Sequence, residues 1–255
     1  MDFSQFFTPQ EQFAPGSGFA LYGAFHLGWL AAIGAAVLLC CLWYRRQDAP
    51  RQQRFLRGLA LLLIAEDTLK MVIIAVIGGP LRYNLPLHLC GLSMFVYLMV
   101  AFRPSDFWRE LVYCLCMPGA VAALLFCDWT ECPPLHFSGI HSFLHHGYLV
   151  TFAMVLLTSG QLRPNWRMLP RCFGALCLTA VPLYLLNRAI DANYLFLNVP
   201  SPGSPLELLA RLLGNPGYIA GAAGLVVAVW AVLYTPWVLA QRRQLSRRAA
   251  APAGR

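Results

Sequence analysis

Charged residues are scarce in this chain, and their scarcity limits the classes of protein to which it can belong. Only 12% of the 255 residues are charged, whereas 58% are hydrophobic, and the mean hydropathy is +0.57. A soluble domain of this size cannot hide so much apolar surface in one core, so lipid is the expected solvent. The net charge of +8 comes from arginine clusters between apolar runs. This pattern favours membrane phospholipid as the partner and argues against nucleic acid.

The sequence also lacks the cysteine spacing of a zinc ribbon. Its nine cysteines are scattered through apolar segments, which is typical of small buried hydrophobic residues. Cys127 and Cys132 bracket a short polar stretch, where a disulfide is one option and two free thiols are the other. Residues 1–15 contain two acids and no Lys or Arg, so they lack the charged start of a signal peptide. We expect the first helix to remain in the mature protein.

Seven apolar runs have lengths close to the roughly 20 residues that a membrane-spanning helix needs. The connectors between them carry charges, glycine or proline, and no internal repeat is evident. The sequence therefore predicts an all-α, seven-transmembrane helix bundle as a single domain over residues 1–241. A basic, disordered cytoplasmic tail is predicted over residues 242–255. The runs lie at about 18–44, 55–79, 85–102, 108–127, 139–160, 168–190 and 216–240.

Arginine is distributed unevenly between the two ends of these runs. Fifteen arginines lie on the side that holds the C-terminus, and only Arg82, Arg188 and Arg211 lie on the other side. Because cytoplasmic loops are enriched in Lys and Arg, the N-terminus is predicted to be outside and the C-terminus in the cytoplasm. Residues 191–215 are too apolar for a solvated loop and too rich in proline and glycine for a span. We expect this segment to form a cap at the outer interface.

Ionisable groups inside the predicted runs define the candidate site, because such groups are costly in lipid and usually functional. Lys70 can pair with Glu66 or with Asp67, as either spacing suits a helix. This pairing would be purely structural, or it would form part of the site. The polar residues of the runs are Glu66, Asp67, Lys70, His88, Cys90, His141, His145, His146, Asn187 and Arg188.

Cys90 and His146 are predicted to lie at matching depth on different helices. At 1.5 Å per residue, Cys90 is on the order of 9 Å and His146 on the order of 10 Å below the outer surface. A thiol within reach of an imidazole is the arrangement of a Cys/His nucleophilic site. The histidines also allow a metal site, with His141 and His145 four residues apart and His88 as a third ligand. A histidine hydrogen-bonded inside the bundle is the simpler alternative.

At NLPLHLCGLSM, and again at HHGYL and NRAIDANYLFL, the chain resembles the YwaF-like family of bacterial membrane proteins. The resemblance covers roughly residues 20–240, with the motifs in order. Two departures lie in the cap, where Ala192 replaces the usual glycine and LLGNPGY replaces a segment with tryptophan. The motifs that carry the resemblance are Leu85–Cys90, Pro118–Ala123, His146 with Gly147, Arg163 with Pro164, and Asn187 followed by Asn193, Tyr194, Phe196 and Leu197.

This family is related to animal transmembrane protein 164, an acyltransferase that moves fatty acyl chains between glycerophospholipids. More distantly, it is similar to the androgen-induced membrane hydrolases. The resemblance implies a catalytic Cys90 and His146, phospholipid and lysophospholipid substrates, no cofactor, no metal, and a place in the bacterial cytoplasmic membrane. The residues expected to orient or bind substrate are His88, Glu66, His145, Asn187, Asn193 and Tyr194.

Three alternatives to acyl transfer remain open from the residues. A lipid ester hydrolase would use the same cysteine and histidine with water as the acceptor. A small-molecule or ion transporter would use Glu66, Asp67, Lys70 and the histidines as a relay. A binding or assembly protein would hold lipid in the pocket without chemistry.

Overall fold

The computed structural model describes residues 5–250, apart from the side chains of Glu11 and of residues 244–250. Every regular element in this range is helical, which confirms the predicted all-α fold. The longer helices are numbered here in chain order. They are α1 (Ala24–Tyr44), α2 (Ala49–Val76), α3 (Leu89–Phe102), α4 (Asp106–Leu125), α5 (Phe137–Thr158), α6 (Leu169–Ile190), α7 (Pro205–Leu213) and α8 (Gly217–Ala250).

The seven apolar runs of the sequence coincide with these helices, except for the short α7. By length and composition, α1, α4, α5, α6 and α8 are suited to cross a membrane. Helix α3 has only 14 residues, about 21 Å at 1.5 Å per residue, so it is shorter than a bilayer core. Helix α2 has 28 residues but carries Glu66, Asp67 and Lys70 in its second half. The described residues therefore contain five candidate spans, and a count of seven requires α2 and α3 as well.

Helix α5 lies at the centre of the bundle and packs against α1, α2, α3 and α4. Helix α1 packs closely on α5 at Gly147, where a Cβ atom would lie in van der Waals contact, 3.4 Å from two side-chain carbons of Ile33. Tyr97 of α3 stacks on Phe152 of α5 with ring centroids 4.5 Å apart, and its hydroxyl donates to the Leu149 carbonyl. These contacts fix the relative positions of α3 and α5, the two helices that carry Cys90 and His146.

Helix α4 contains one π-helical stretch, Val112–Cys116, immediately before Pro118. Proline has no backbone N–H, so Pro118 cannot donate to the carbonyl of Cys114 four residues earlier. Trp230 of α8 supplies the missing donor, because its indole Nε1 lies 2.7 Å from that carbonyl oxygen. The irregularity of α4 is therefore stabilised by α8.

The loop between α4 and α5 contains no disulfide between its two cysteines. Cys127 and Cys132 are both free thiols. The Cys127 thiol donates to the carbonyl of Leu124 at 3.3 Å and contacts Nε2 of His26 at 3.4 Å. His26 is fully buried and structural, since its second nitrogen accepts from the backbone N–H of Tyr22.

The last helix is longer than the sequence predicts. Helix α8 continues to Ala250, beyond residue 241, where we expected the transmembrane domain to end. Residues 242–250 of the expected disordered tail are therefore helical. The remaining tail residues, 251–255, lie outside the described part of the chain.

Candidate active site

Cys90 lies at the start of α3, where an extended segment turns into the helix. Its neighbour Leu89 is the first helical residue, and His88 precedes it with extended backbone. Gly91 permits this turn, because a Cβ atom there would lie 2.6 Å from the carbonyl carbon of Pro86. Cys90 as a residue is half-buried. The first turn of a helix also has backbone N–H groups without intrahelical partners, and Cys90 lies among them.

Two consecutive histidines of α5 flank the Cys90 thiol. The side chains of His145 and His146 both interact with it electrostatically at close range. Successive residues of an α-helix point about 100° apart, so a sulfur between the two directions is near both rings. The thiol and the imidazole for which the sequence predicts matching depth therefore lie close enough to interact.

His146 has a defined role for each of its ring nitrogens. Its Nδ1 lies 2.7 Å from the carbonyl oxygen of Ser142, which can only accept, so Nδ1 carries a proton. In the neutral ring, Nε2 is then the nitrogen with a free lone pair. Trp129 stacks on the ring at a centroid distance of 5.2 Å and an interplanar angle of 11°. This environment holds His146 in the orientation and tautomer that a general base needs.

His145 is tied to an acid of α2. Its Nδ1 is hydrogen-bonded to one carboxylate oxygen of Glu66, and the other oxygen is in contact with Nε2 of His141. The two histidine rings lie side by side with centroids 5.6 Å apart. Lys70 pairs with Asp67 at 2.5 Å, the second of the two pairings considered from the sequence. Glu66 is consequently available to the histidines of α5.

The donor atoms of Glu66, His141 and His145 lie within 4.8 Å of one another, close enough to be considered as a metal site. Each carboxylate oxygen, however, directly contacts a ring nitrogen. The contact between Nδ1 of His145 and Glu66 is a hydrogen bond, whereas Nε2 of His141 and Nε2 of His145 have no hydrogen-bond partner within the described residues. The three side chains therefore form a compact group of one acid and two imidazoles.

His88, considered from sequence as a third metal ligand, instead contacts the cap. Its ring lies 5.2 Å from those of both Tyr194 and Phe196. His88 therefore anchors the segment before the nucleophile against the cap.

Asn187 and Tyr194 connect the cap to that same segment. The buried Asn187 amide accepts from the backbone N–H of Tyr194 at 2.8 Å and donates to its carbonyl at 2.9 Å. The Tyr194 hydroxyl donates to the carbonyl of Arg82 and accepts from the N–H of Leu85. Asn193 stays within the cap, where its amide accepts from two backbone N–H groups. These expected substrate-orienting residues thus all bond to the protein backbone.

Replacing Asn187 by alanine is expected to destabilise the protein by about 2 kcal/mol or more, since two buried backbone groups of Tyr194 lose their partner. Thermal unfolding of the purified protein in detergent measures the effect. Asn215→Ala is the matched control, because Asn215 is an exposed asparagine of the same cap. Equal midpoints for Asn187→Ala and the wild type would contradict this structural role.

Asp128, which sequence reasoning assigned only to an outer loop, lies near the nucleophile. Its side chain interacts electrostatically with His88, His146 and Cys90. The surrounding protein reduces the hydration of its carboxylate and so raises the pKa of Asp128, against the opposing effect of the two histidines. No pattern in the sequence marks this residue, because only the path of the loop brings it to the site.

Comparison with known proteins identifies one related family. Residues 21–234 match the profile of the TMEM164 family, and this range contains every side chain of the site described above. Neither a curated protein nor a solved structure matches the sequence.

Proposed function

This chain belongs to the TMEM164 family, and from that membership and the Cys90 site we propose that it is a membrane-embedded acyltransferase. The reaction moves a fatty acyl chain from a glycerophospholipid to a lysophospholipid. Cys90 is the nucleophile, and His146 is the general base and acid. The supporting observation is a half-buried cysteine whose thiol interacts with an imidazole of fixed tautomer.

The first half-reaction forms a thioester on Cys90. Nε2 of His146 takes the proton of the thiol, and the thiolate attacks an ester carbonyl of the donor lipid. A carbon–sulfur bond forms while the ester carbon–oxygen bond breaks. The departing lysophospholipid oxygen receives the proton from His146.

The second half-reaction transfers the acyl group to the acceptor. The acceptor hydroxyl gives its proton to His146 and attacks the thioester carbonyl. A carbon–oxygen bond forms while the carbon–sulfur bond breaks, and the thiolate leaves. The proton then returns from His146 to the sulfur, so the site is ready for another cycle.

Each half-reaction passes through an oxyanion that requires hydrogen-bond donors. The sequence considered His88, Asn187 and Asn193 as donors, but Asn187 and Asn193 already bond to the cap backbone. The first-turn amides of α3 are better suited, because they have no intrahelical partner and adjoin the nucleophile. We assign the oxyanion to the backbone N–H groups at Cys90 and Gly91.

The proposed setting is the outer half of the bacterial cytoplasmic membrane, with seven spans, the N-terminus outside and the C-terminus in the cytoplasm. His146 is nine residues beyond the start of α5, on the order of 14 Å below it. Ester carbonyls of phospholipids lie beneath the headgroups, where water, the competing acceptor, is scarce. The arginine asymmetry of the sequence supports this orientation.

The charges considered for a transporter are paired with each other. Lys70 contacts Asp67, and Glu66 contacts two histidines. Within the described residues, this pairing favours a fixed site over a relay for moving ions. A lipid hydrolase differs from the transferase only in its acceptor, so product analysis must separate the two.

The test is a transfer assay with purified full-length protein in vesicles. The vesicles contain phosphatidylethanolamine and phosphatidylglycerol with deuterated acyl chains, and unlabelled lysophosphatidylglycerol is added as acceptor. We expect mass spectrometry to detect phosphatidylglycerol with one deuterated and one unlabelled chain. Deuterated free fatty acid without this product would indicate a hydrolase, and no turnover of these lipids would contradict the proposal.

A further inference from the structure

The two histidines on the Cys90 thiol have different partners at their other nitrogens. His146 donates from Nδ1 to a backbone carbonyl, whereas His145 is bonded through Nδ1 to the carboxylate of Glu66. The second nitrogen of His145, Nε2, is buried and has no hydrogen-bond partner within the described residues. Besides Glu66, the ring interacts with the sulfur of Cys90.

These partners favour different protonation states of the two rings. A carboxylate offsets the positive charge of an imidazolium, which a buried ring requires if it is to stay charged. A carbonyl accepts an N–H but carries no compensating charge. His145 is therefore suited to remain an imidazolium, with one N–H toward Glu66 and one toward the sulfur, while His146 is suited to gain and lose a proton.

We propose that Glu66 holds His145 in its protonated form and that His145 stabilises the Cys90 thiolate, while His146 carries the protons of the reaction. The purpose of this thiolate, attack on a lipid ester, rests on the proposed function. The test measures the reactivity of the sulfur alone, so it does not depend on that function. His145 is then a second catalytic residue, because it touches the reacting sulfur. Glu66 is a positioning residue that acts through His145.

This division of roles serves both half-reactions. The sulfur must be a thiolate when it attacks and again when it leaves, so a permanent cation beside it favours both events. Because the proton of His145 stays in place, each proton exchanged with substrate passes through His146. The charges of Glu66 and His145 cancel, so the burial of this pair adds no net charge to the bundle.

Other charged groups also surround this unit. His141 of α5 contacts the second oxygen of Glu66, and Lys70 acts electrostatically on His141. Asp128 approaches Cys90 from the loop after α4, together with His88. Asp128 supplies a negative charge near the sulfur and, within the described residues, has no contact with His145, so it offers a control for the loss of a carboxylate.

The experiment measures alkylation of Cys90 by iodoacetamide in the full-length protein, with mass spectrometry of the Cys90 peptide from pH 6 to 10. The rate of alkylation measures how much of the thiol is in the thiolate form, and it does not depend on any lipid reaction. We expect Glu66→Gln to slow the reaction about tenfold at pH 7, with a rate near that of the wild type at pH 10. His145→Gln is expected to behave in the same way.

Asp128→Asn removes the same charge from the other side of the sulfur. Plain electrostatics predicts that loss of any nearby carboxylate makes the thiolate easier to form, so this variant should react as fast as the wild type or faster. Glu66→Gln is expected to change the rate in the opposite direction, because it acts through His145. Glu66→Asp, which retains the charge, should recover part of the rate at pH 7.

Faster or unchanged alkylation in Glu66→Gln and His145→Gln at pH 7 would overturn the proposal. Slow alkylation that high pH does not restore would also overturn it, since a distorted site would explain the loss. If the variants behave as expected but no lipid is turned over, the proposed roles of Glu66 and His145 are supported and the proposed acyltransferase function is contradicted. Alkylation of the half-buried Cys40 in the same samples checks that each variant is folded.

Discussion

Replacing Cys90 by alanine is expected to lower the rate of acyl transfer by at least about 1000-fold. The sulfur forms the covalent intermediate, and no other group of the site can replace it in that role. Cys90→Ser should also be nearly inactive, because the hydroxyl does not form the anion that the two histidines stabilise for a thiol. Initial rates of deuterated acyl transfer in vesicles measure both effects.

Cys177→Ala is the matched control for this substitution. Cys177 is an exposed residue of α6 and has no role in the site, so its variant should keep the wild-type rate. Residual transfer above about one tenth of the wild-type rate in Cys90→Ala would show that the nucleophile lies elsewhere.

Replacing His146 by alanine is expected to reduce acyl transfer by about 100-fold to 10,000-fold, the usual range for loss of a general acid and base. The departing oxygen then leaves without a proton, and the acceptor hydroxyl attacks without a base. Initial rates under the same conditions measure this loss. His146→Gln should be similarly impaired, because an amide cannot shuttle the proton.

His136→Ala provides the comparison at the N-terminal end of α5. His136 caps the start of α5 and bonds to the carbonyl of Thr8, so its loss should affect stability more than catalysis. If His146→Ala retained most of its transfer rate while His136→Ala lost it, the assignment of the base would be wrong.

The sequence was sufficient to predict the helices, because their length and composition are properties of the linear chain. Each of the seven runs became a helix with ends shifted by several residues, and the shift in α3 has an identifiable cause. Pro86 and the extended His88 delay its start to Leu89. The short α7 was missed, because its nine residues lie in a segment dominated by proline and glycine.

The candidate site was predicted only in part, since sequence does not report how each helix is rotated about its axis. Cys90 and His146 were identified from depth, chemistry and family resemblance together. The histidine partners of Glu66 were not predicted, because the spacing of Glu66 to Lys70 is equally compatible with an ion pair inside α2. Asp128 was missed because its approach depends on the path of a loop.

The expected substrate-orienting set also needs refinement. Asn187 lies near the end of α6, and Asn193 and Tyr194 follow it in the cap. Their polar atoms form hydrogen bonds with the backbone of the cap and of the segment before Cys90, so they stabilise the backbone around the site. Tight binding of backbone groups by side chains cannot be distinguished from substrate binding in a linear sequence.

The most direct test of the central claim is detection of the acyl-enzyme. The protein is incubated with vesicles of deuterated phospholipid without a lysophospholipid acceptor, quenched with acid, and digested for mass spectrometry. We predict a deuterated acyl group on the Cys90 peptide that hydroxylamine removes and that is absent from Cys90→Ala. Acyl transfer that continues in Cys90→Ala, or a label attached to another residue, would contradict the account.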